Sequence, residues 1–219
     1  MLEVLFASHN KGKIDELTKD FNEQGIDLKL YTDVTSEKFE IPEDSEILAV
    51  NANEKASVVA NHTGYFSLGD DSGVFIEALD YFPGVHSRRW SGSDDDDLGR
   101  DKQIINLMKD EENRNVYLIS RFSLVDETGD EICKTYIKNK FEISYEIKGN
   151  NGFGYDPILI PSKDAINSAI GISDLRKEEI ISNQLTIACL TQDEKNAINN
   201  RGRIASDIKK ALDEKGINY

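Results

Sequence analysis

Three short stretches combine residue types that suit phosphate and nucleotide chemistry. The first is Ser8-His9-Asn10-Lys11-Gly12-Lys13, which follows an apolar strand at 2–7 and leads into a helical pattern. Two lysines around a glycine at a helix N-terminus meet unpaired backbone N–H groups and the positive end of the helix dipole. That setting holds an anion, phosphate above all. The spacing is not that of a Walker A loop, which needs two glycines five positions apart and a hydroxyl after the lysine. A polar turn with surface lysines is the plain alternative.

The second stretch is Asp70-Asp71-Ser72-Gly73, flanked by apolar pieces at 65–68 and 74–76. These read as two strand segments separated by a loop at 69–73. Adjacent carboxylates repel unless a cation lies near them. With no His or Cys cluster beside them, hard oxygen donors point to Mg2+ rather than Zn2+, with Glu43 as a further ligand. The alternative is a turn capped by its own side chains. The third stretch, Gly152-Phe153-Gly154-Tyr155-Asp156-Pro157, sets two aromatic rings and a carboxylate among glycines. Phe153 either stacks on a flat ligand, worth about 1–3 kcal/mol for a nucleobase, or anchors the loop in the core. His9, His62 and His86 are scattered and form no triad, and the acidic run 94–97 reads as a hydrated loop.

The elements that must position these residues follow from periodicity. Ile14, Leu17 and Phe21 mark a first helix ending at Gly25, and a short strand follows at 28–31. Ala49, Ala52, Ala56, Val59 and Ala60 line one face of a second helix that stops at Gly64; small residues there imply close packing against a neighbour. Further helices are expected around Ile104–Met108, from a Thr191/Glu194 capping box to 199, and from Ile204 to Leu212. Segments 116–125 and 131–138 read as a hairpin around 126–130, with a third strand at 141–147 completing a meander. The stretch 162–190 suggests short helical fragments.

Composition limits the partners. The chain has 219 residues, 38% hydrophobic and 31% charged, with a formal net charge of −15. A single α/β domain with a smaller lobe fits that length. The acidic balance opposes nucleic acid and anionic membrane, which attract clustered cations. No segment has the ~18–20 apolar residues of a membrane helix, and Glu3 beside an immediate strand does not resemble a signal peptide. A cytoplasmic protein is therefore expected. Cys133 and Cys189 read as buried free thiols.

Taken in order along the chain, these motifs resemble the inosine triphosphatase-like nucleotide pyrophosphatases, also called XTP/dITP diphosphatases. The matching segments are 8–13, Asn51-Ala52 through Lys55-Ala56, 70–73, 83–89, 152–157, and Glu194-Lys195-Asn196 with Arg201-Gly202. The resemblance implies an α/β fold, an elongated mixed sheet with flanking helices whose two lobes enclose a central nucleotide cleft. One domain would then span 1–219, with a meander lobe at about 116–147 and an insertion at about 161–191. It implies a homodimer and Mg2+-dependent cleavage of deaminated purine triphosphates (ITP, dITP, XTP) to a monophosphate and pyrophosphate. Asp71 would be the catalytic carboxylate, with Glu43 and Asp71 on the metal. Lys13, Lys55 and Lys195 would neutralise the triphosphate, with Ser8 and Asn10 lining its loop and His9, Lys11, Gly12 and Ser72 also binding substrate. Phe153, Gly154, Tyr155, Asp156, Asn200 and Arg201 would hold the nucleoside end. The family usually carries a histidine where Asn200 stands, so base preference is where this chain departs from the pattern. A pyrophosphatase of altered base preference and a non-catalytic nucleotide-binding regulator are the competing readings.

Overall fold

The computed structural model describes residues 1–37, 39–92 and 96–217. Asp94 and Asp95 of the acidic run lie outside the described residues. The chain divides into two compact units: Met1–Ser72, Ser120–Ile137 and Arg201–Tyr219 form the first, and Gly73–Ile119 and Lys138–Asn200 the second. Among the described residues a seven-stranded mixed sheet is flanked by helices.

In the first unit, β1 (Leu2–Phe6) pairs in parallel with β2 (Ile26–Leu30), Val4 opposite Leu28, and with β3 (Phe66–Ile76), Val4 opposite Phe66. Strand β1 is buried on both faces, which explains its unbroken apolar run. Val4 and Phe6 pack with α1 (Lys11–Glu23) through Ile14, Leu17 and Phe21, and with the last helix through Ile204, Ile208 and Leu212. That last helix runs Gly202–Glu214. Leu5 and Ala7 face the other way and pack with Tyr31 and with Val59 of the long helix Leu48–Thr63. Tyr31 opens the short helix α2 (Tyr31–Val34), so the long helix is α3. Gly64 ends α3 in the left-handed conformation, as its sequence position suggests.

The second unit gathers Val74, Ile76, Ile104, Met108, Phe141, Ile143, Ile158, Ile180 and Ile198 into its own core. They come from β3, from α4 (Asp97–Leu107) and the Met108 that caps it, from β6 (Glu131–Ile143), and from the helices that follow. Strand β4 (Pro83–Gly84) pairs antiparallel with β3, and β7 (Leu159–Pro161) pairs antiparallel with β6. The hairpin partner of β6 is β5 (Asn115–Val125).

Two expectations change here. The 69–73 stretch is not a loop between two strand pieces, because β3 runs unbroken through it. Its glycines serve close approach rather than turning. A Cβ on Gly69 would lie 2.0 Å from the Ala52 carbonyl oxygen, and one on Gly73 would lie 2.4 Å from that of Gly84. The separate third meander strand at 141–147 is also absent among the described residues: 141–143 complete the long β6, and β7 takes the position beside it. The 161–191 stretch forms α5 (Lys163–Ser168) and α6 (Asp174–Ser182) and supplies Ile166, Ile180 and Ile187 to the second unit's core. Both cysteines are free but only half-buried. Among the described residues no helix is long and apolar enough to cross a membrane.

Candidate active site

The 8–13 loop leads into α1 at Lys11. Asn10 caps α1, its side chain accepting the Lys13 N–H at 3.3 Å, while its own N–H donates to Ser8 Oγ at 3.1 Å. Gly12 and Lys11 occupy the first turn, where helix N–H groups have no intrahelical partner. His9 is exposed, with Nε2 2.8 Å from the Tyr31 hydroxyl. Lys13 reaches away from the loop to β3 and pairs with Asp70 Oδ2 at 2.5 Å.

Side chains alternate across a strand, so the continuity of β3 separates its two aspartates. Asp70 and Ser72 share the face that meets Lys13; Ser72 Oγ lies 3.3 Å from Asp70 Oδ2 and 2.9 Å from Ser120 Oγ. Asp71 shares the opposite face with Gly69, against α3. The close approach at Gly69 brings Asn51 and Lys55 of α3 onto Asp71. Asn51 donates to Asp71 Oδ2 at 2.8 Å, and Lys55 Nζ lies 3.3 Å from Asp71 Oδ1 and 3.2 Å from the Asp70 carbonyl oxygen. Asn51 also exchanges two 2.9 Å hydrogen bonds with the Ser45 backbone, tying down the acidic 40s segment. The repulsion expected between adjacent carboxylates is thus relieved by Lys13, paired with Asp70, and by Lys55, which acts on both.

Electrostatics follow from this arrangement. Burial pushes the Asp70 carboxyl upward, but Lys13 and Lys55 outweigh it and hold it below the usual carboxylate range. Burial pulls the Lys55 ammonium down, yet Asp70, Asp71 and Glu43 together hold it above its ordinary value. Arg201 belongs to this unit too: its guanidinium pairs with the buried Glu16 at 2.7 Å and adds to the field that lowers Asp70.

Glu43 and Asp71, the expected metal ligands, converge on one cation, the Lys55 ammonium; Glu43 meets it in a short ion pair. Two carboxylates drawn together from separate segments are a donor set that fits Mg2+, which takes one or two protein carboxylates and completes its shell with water and phosphate oxygens. Among the described residues no group of three His, Cys, Asp or Glu forms a site by itself.

In the second unit, Asp156 Oδ2 accepts from the Phe153 N–H at 3.0 Å and from Lys195 Nζ at 2.6 Å, with both charged side chains buried. The Lys195 ammonium also lies 4.6 Å from the centroid of the half-buried Phe153 ring. Lys195 stands on α7 (Gln192–Asn199), started by the Thr191/Glu194 capping box that the sequence shows. Tyr155 donates to the Ser87 carbonyl and accepts from Trp90 Nε1 at 2.9 Å, and burial pushes its phenol up to about 12. Gly154 donates its N–H to Asp97 Oδ2 at 2.9 Å. Asn200 is exposed and caps α7 at φ 52°, a left-handed conformation that Asn tolerates better than most residues.

The family model of the Ham1 family matches residues 4–211. The chain belongs to the Ham1 family. The dITP/XTP pyrophosphatase of Mycobacteroides abscessus is 34% identical over 207 residues, covering 92% of this chain and 90% of that protein. That of Corynebacterium glutamicum is 32% identical over 208 residues, covering 92% of each. The structure of a HAM1 protein from Coxiella burnetii shares the mixed sheet with flanking helices, at a TM-score of 0.74 and 30% identity, covering 98% of this chain and 100% of that one.

Within this Ham1 framework the expected residues fall into two sets. Ser8 to Lys13, Glu43, Lys55, Asp71, Ser72 and Arg201 lie in the first unit; Phe153 to Asp156, Lys195 and Asn200 lie in the second. Lys195 was expected among the phosphate ligands and Arg201 at the nucleoside end. Their observed partners are Asp156 for Lys195 and Glu16 for Arg201. The sequence points to Asp70 beside Asp71, to Asn51 in a matching segment and to Asp97 in the acidic run, but their partners are visible only in the structure; Asp101 carries no sequence signal of its own.

Proposed function

We propose that this protein is a nucleoside triphosphate pyrophosphatase that hydrolyses deaminated purine triphosphates (ITP, dITP and XTP) to the monophosphate and pyrophosphate. The observation that carries this reading is Asp71, held by Asn51 and Lys55 with Glu43 on the same ammonium. The names of the curated relatives, dITP/XTP pyrophosphatases across nearly the whole chain, support the substrate class.

In this reading the first-unit residues act on the phosphates. The 8–13 loop offers backbone N–H groups to the triphosphate, and Lys13 and Lys55 neutralise charge that builds in the transition state. Asp71 takes the proton from the attacking water, and Asn51 keeps its second oxygen oriented. Glu43 and Asp71 would hold Mg2+, which supplies further charge neutralisation on the phosphates when bound. The second-unit residues act on the base: Phe153 stacks on it, with Lys195 and Asp156 fixing the loop that carries the ring. The exposed Asn200 amide lies where the family usually places a histidine, so it is the side chain to test for base selectivity. A cytoplasmic homodimer completes the reading, and sedimentation would check the dimer.

Pyrophosphate release from ITP, XTP, dITP, ATP and GTP, with Mg2+ and with EDTA, tests this directly. We expect turnover of the deaminated substrates with metal, and a loss of at least ~100-fold in kcat for Asp71→Asn, the order found when a group acting in proton transfer is removed. Turnover of none of the five by the wild type would overturn the enzymatic reading. Equal turnover of ATP and ITP would remove the deaminated-purine selectivity.

A further inference from the structure

Among the described residues, the second unit holds one buried acid to which none of the roles above is assigned. Asp101, on α4, is 1% exposed, and its Oδ1 has no hydrogen-bond partner among the described residues. It stands one helical turn from Asp97, on the same face, and Asp97 receives the Gly154 N–H. Helix α4 packs on the 3-10 turn Asp156–Ile158, so this face looks onto the loop that carries Phe153.

A buried carboxylate with one oxygen left without a donor is costly to keep ionised. Arg100, beside it in sequence, directs its guanidinium to Asp97 and to the Arg88 carbonyl oxygen at 2.9 Å. Among the described residues, the other charged or titratable groups around Asp101 are Asp156 and Tyr155 from the loop, with Lys195 of α7 behind Asp156. Asp156 must be ionised to hold Lys195, and a second negative charge facing it opposes that ionisation.

We propose that Asp101 is a positioning residue for the Phe153 loop: as a neutral acid it leaves Asp156 alone with the negative charge that grips Lys195 and the Phe153 N–H, and on ionising it weakens that grip. Burial pushes the Asp101 carboxyl upward, Arg100 opposes this, Asp156 adds to it, and the result is about 7. The change therefore falls near neutral pH.

Two readouts test this, and only the second rests on the proposed activity. The first is NMR of the wild-type protein: the Asp101 carboxyl carbon and the Phe153 amide proton, which reads Asp156 directly, followed from about pH 5 to 9. We expect both to move with a common midpoint near 7, and the Phe153 shift to vanish in Asp101→Asn, a neutral isostere. The second is steady-state kinetics with ITP. KM is expected to rise about threefold or more between pH 6 and 8.5 in the wild type, equivalent to half a pKa unit of coupling. Asp101→Asn should hold KM flat, with kcat following the same pH profile in both proteins. An Asp101 midpoint in the ordinary carboxylate range, or a Phe153 shift unchanged in Asp101→Asn, would overturn the proposal. If ITP is not hydrolysed but the NMR midpoints coincide, the proposed activity fails and the positioning role stands.

Discussion

Replacing Gly69 by alanine adds one methyl group where β3 meets α3. The new Cβ would stand 2.0 Å from the Ala52 carbonyl oxygen and 2.9 Å from the Ala56 nitrogen. Both are backbone atoms of a helix, so neither can swing aside as a flexible side chain would. Ordinary contact begins near 3.4 Å, so α3 must retreat by about 1 Å or more to admit the methyl group. Asn51 and Lys55 lie on that face of α3 and reach Asp71 at 2.8 and 3.3 Å. A shift of ~1 Å takes both beyond hydrogen-bonding distance. Overpacking of this kind costs about 1–3 kcal/mol, which in a chain of this length lowers Tm by about 2–12 °C. Misplacement of catalytic groups by ~1 Å lowers turnover by about 100-fold. Gly64→Ala is the control: Gly64 has φ +71° but nothing within 4 Å of its Cβ position, so it should lose about 1 kcal/mol and keep full turnover. Scanning calorimetry and pyrophosphate release from ITP measure both. A Gly69→Ala protein with wild-type Tm and wild-type turnover would refute the close-approach argument.

Asp70 links the site to stability at low pH. Its carboxyl is held below the usual range, so its contribution is fully present above about pH 4, the ordinary Asp range, and is lost as pH falls through the lower folded value. Asp70→Asn should cost about 3–5 kcal/mol at pH 7, since it strands Lys13 and removes a charge from beside Lys55. Its denaturation midpoint should also fall less steeply than that of the wild type in acid titrations below about pH 4. Gly152→Ala tests the second unit. Gly152 has φ +81°, and its Cβ would lie 2.1 Å from Asp156 Oδ2. The carboxylate must leave Lys195, and we expect KM for ITP to rise at least ~10-fold, the loss of a charge-assisted hydrogen bond, while kcat changes less. An unchanged KM would separate the Asp156–Lys195 pair from nucleotide binding.

Local signals were mostly legible where the physics is local. The capping box at Thr191 and Glu194 and the helix stop at Gly64 each depend on residues within one turn, and both are legible in the sequence, whereas the cap at Asn10 is seen only in the structure. The alanines of α3 announced close packing but not its partner. At 69–73 the same reasoning misread the glycines as a turn, because a glycine that admits a neighbouring backbone looks identical in sequence to one that bends the chain. Lys195 and Arg201 lie six positions apart, yet the boundary between the units falls between Asn200 and Arg201. The two side chains accordingly pair within separate units, Lys195 with Asp156 and Arg201 with Glu16.

By itself, the sequence determined the main helices, the helix start behind the 8–13 loop and membership of a nucleotide-handling family, because these rest on spacing and on motifs contiguous in the chain. Only the tertiary structure decided which carboxylate meets which lysine. Lys13 and Asp70 are 57 residues apart, Lys55 and Asp71 are 16 apart, and Lys195 and Asp156 are 39 apart. Those pairings depend on which face of β3 each aspartate occupies and on how near α3 can come, and both are consequences of packing that a linear order of residues does not encode.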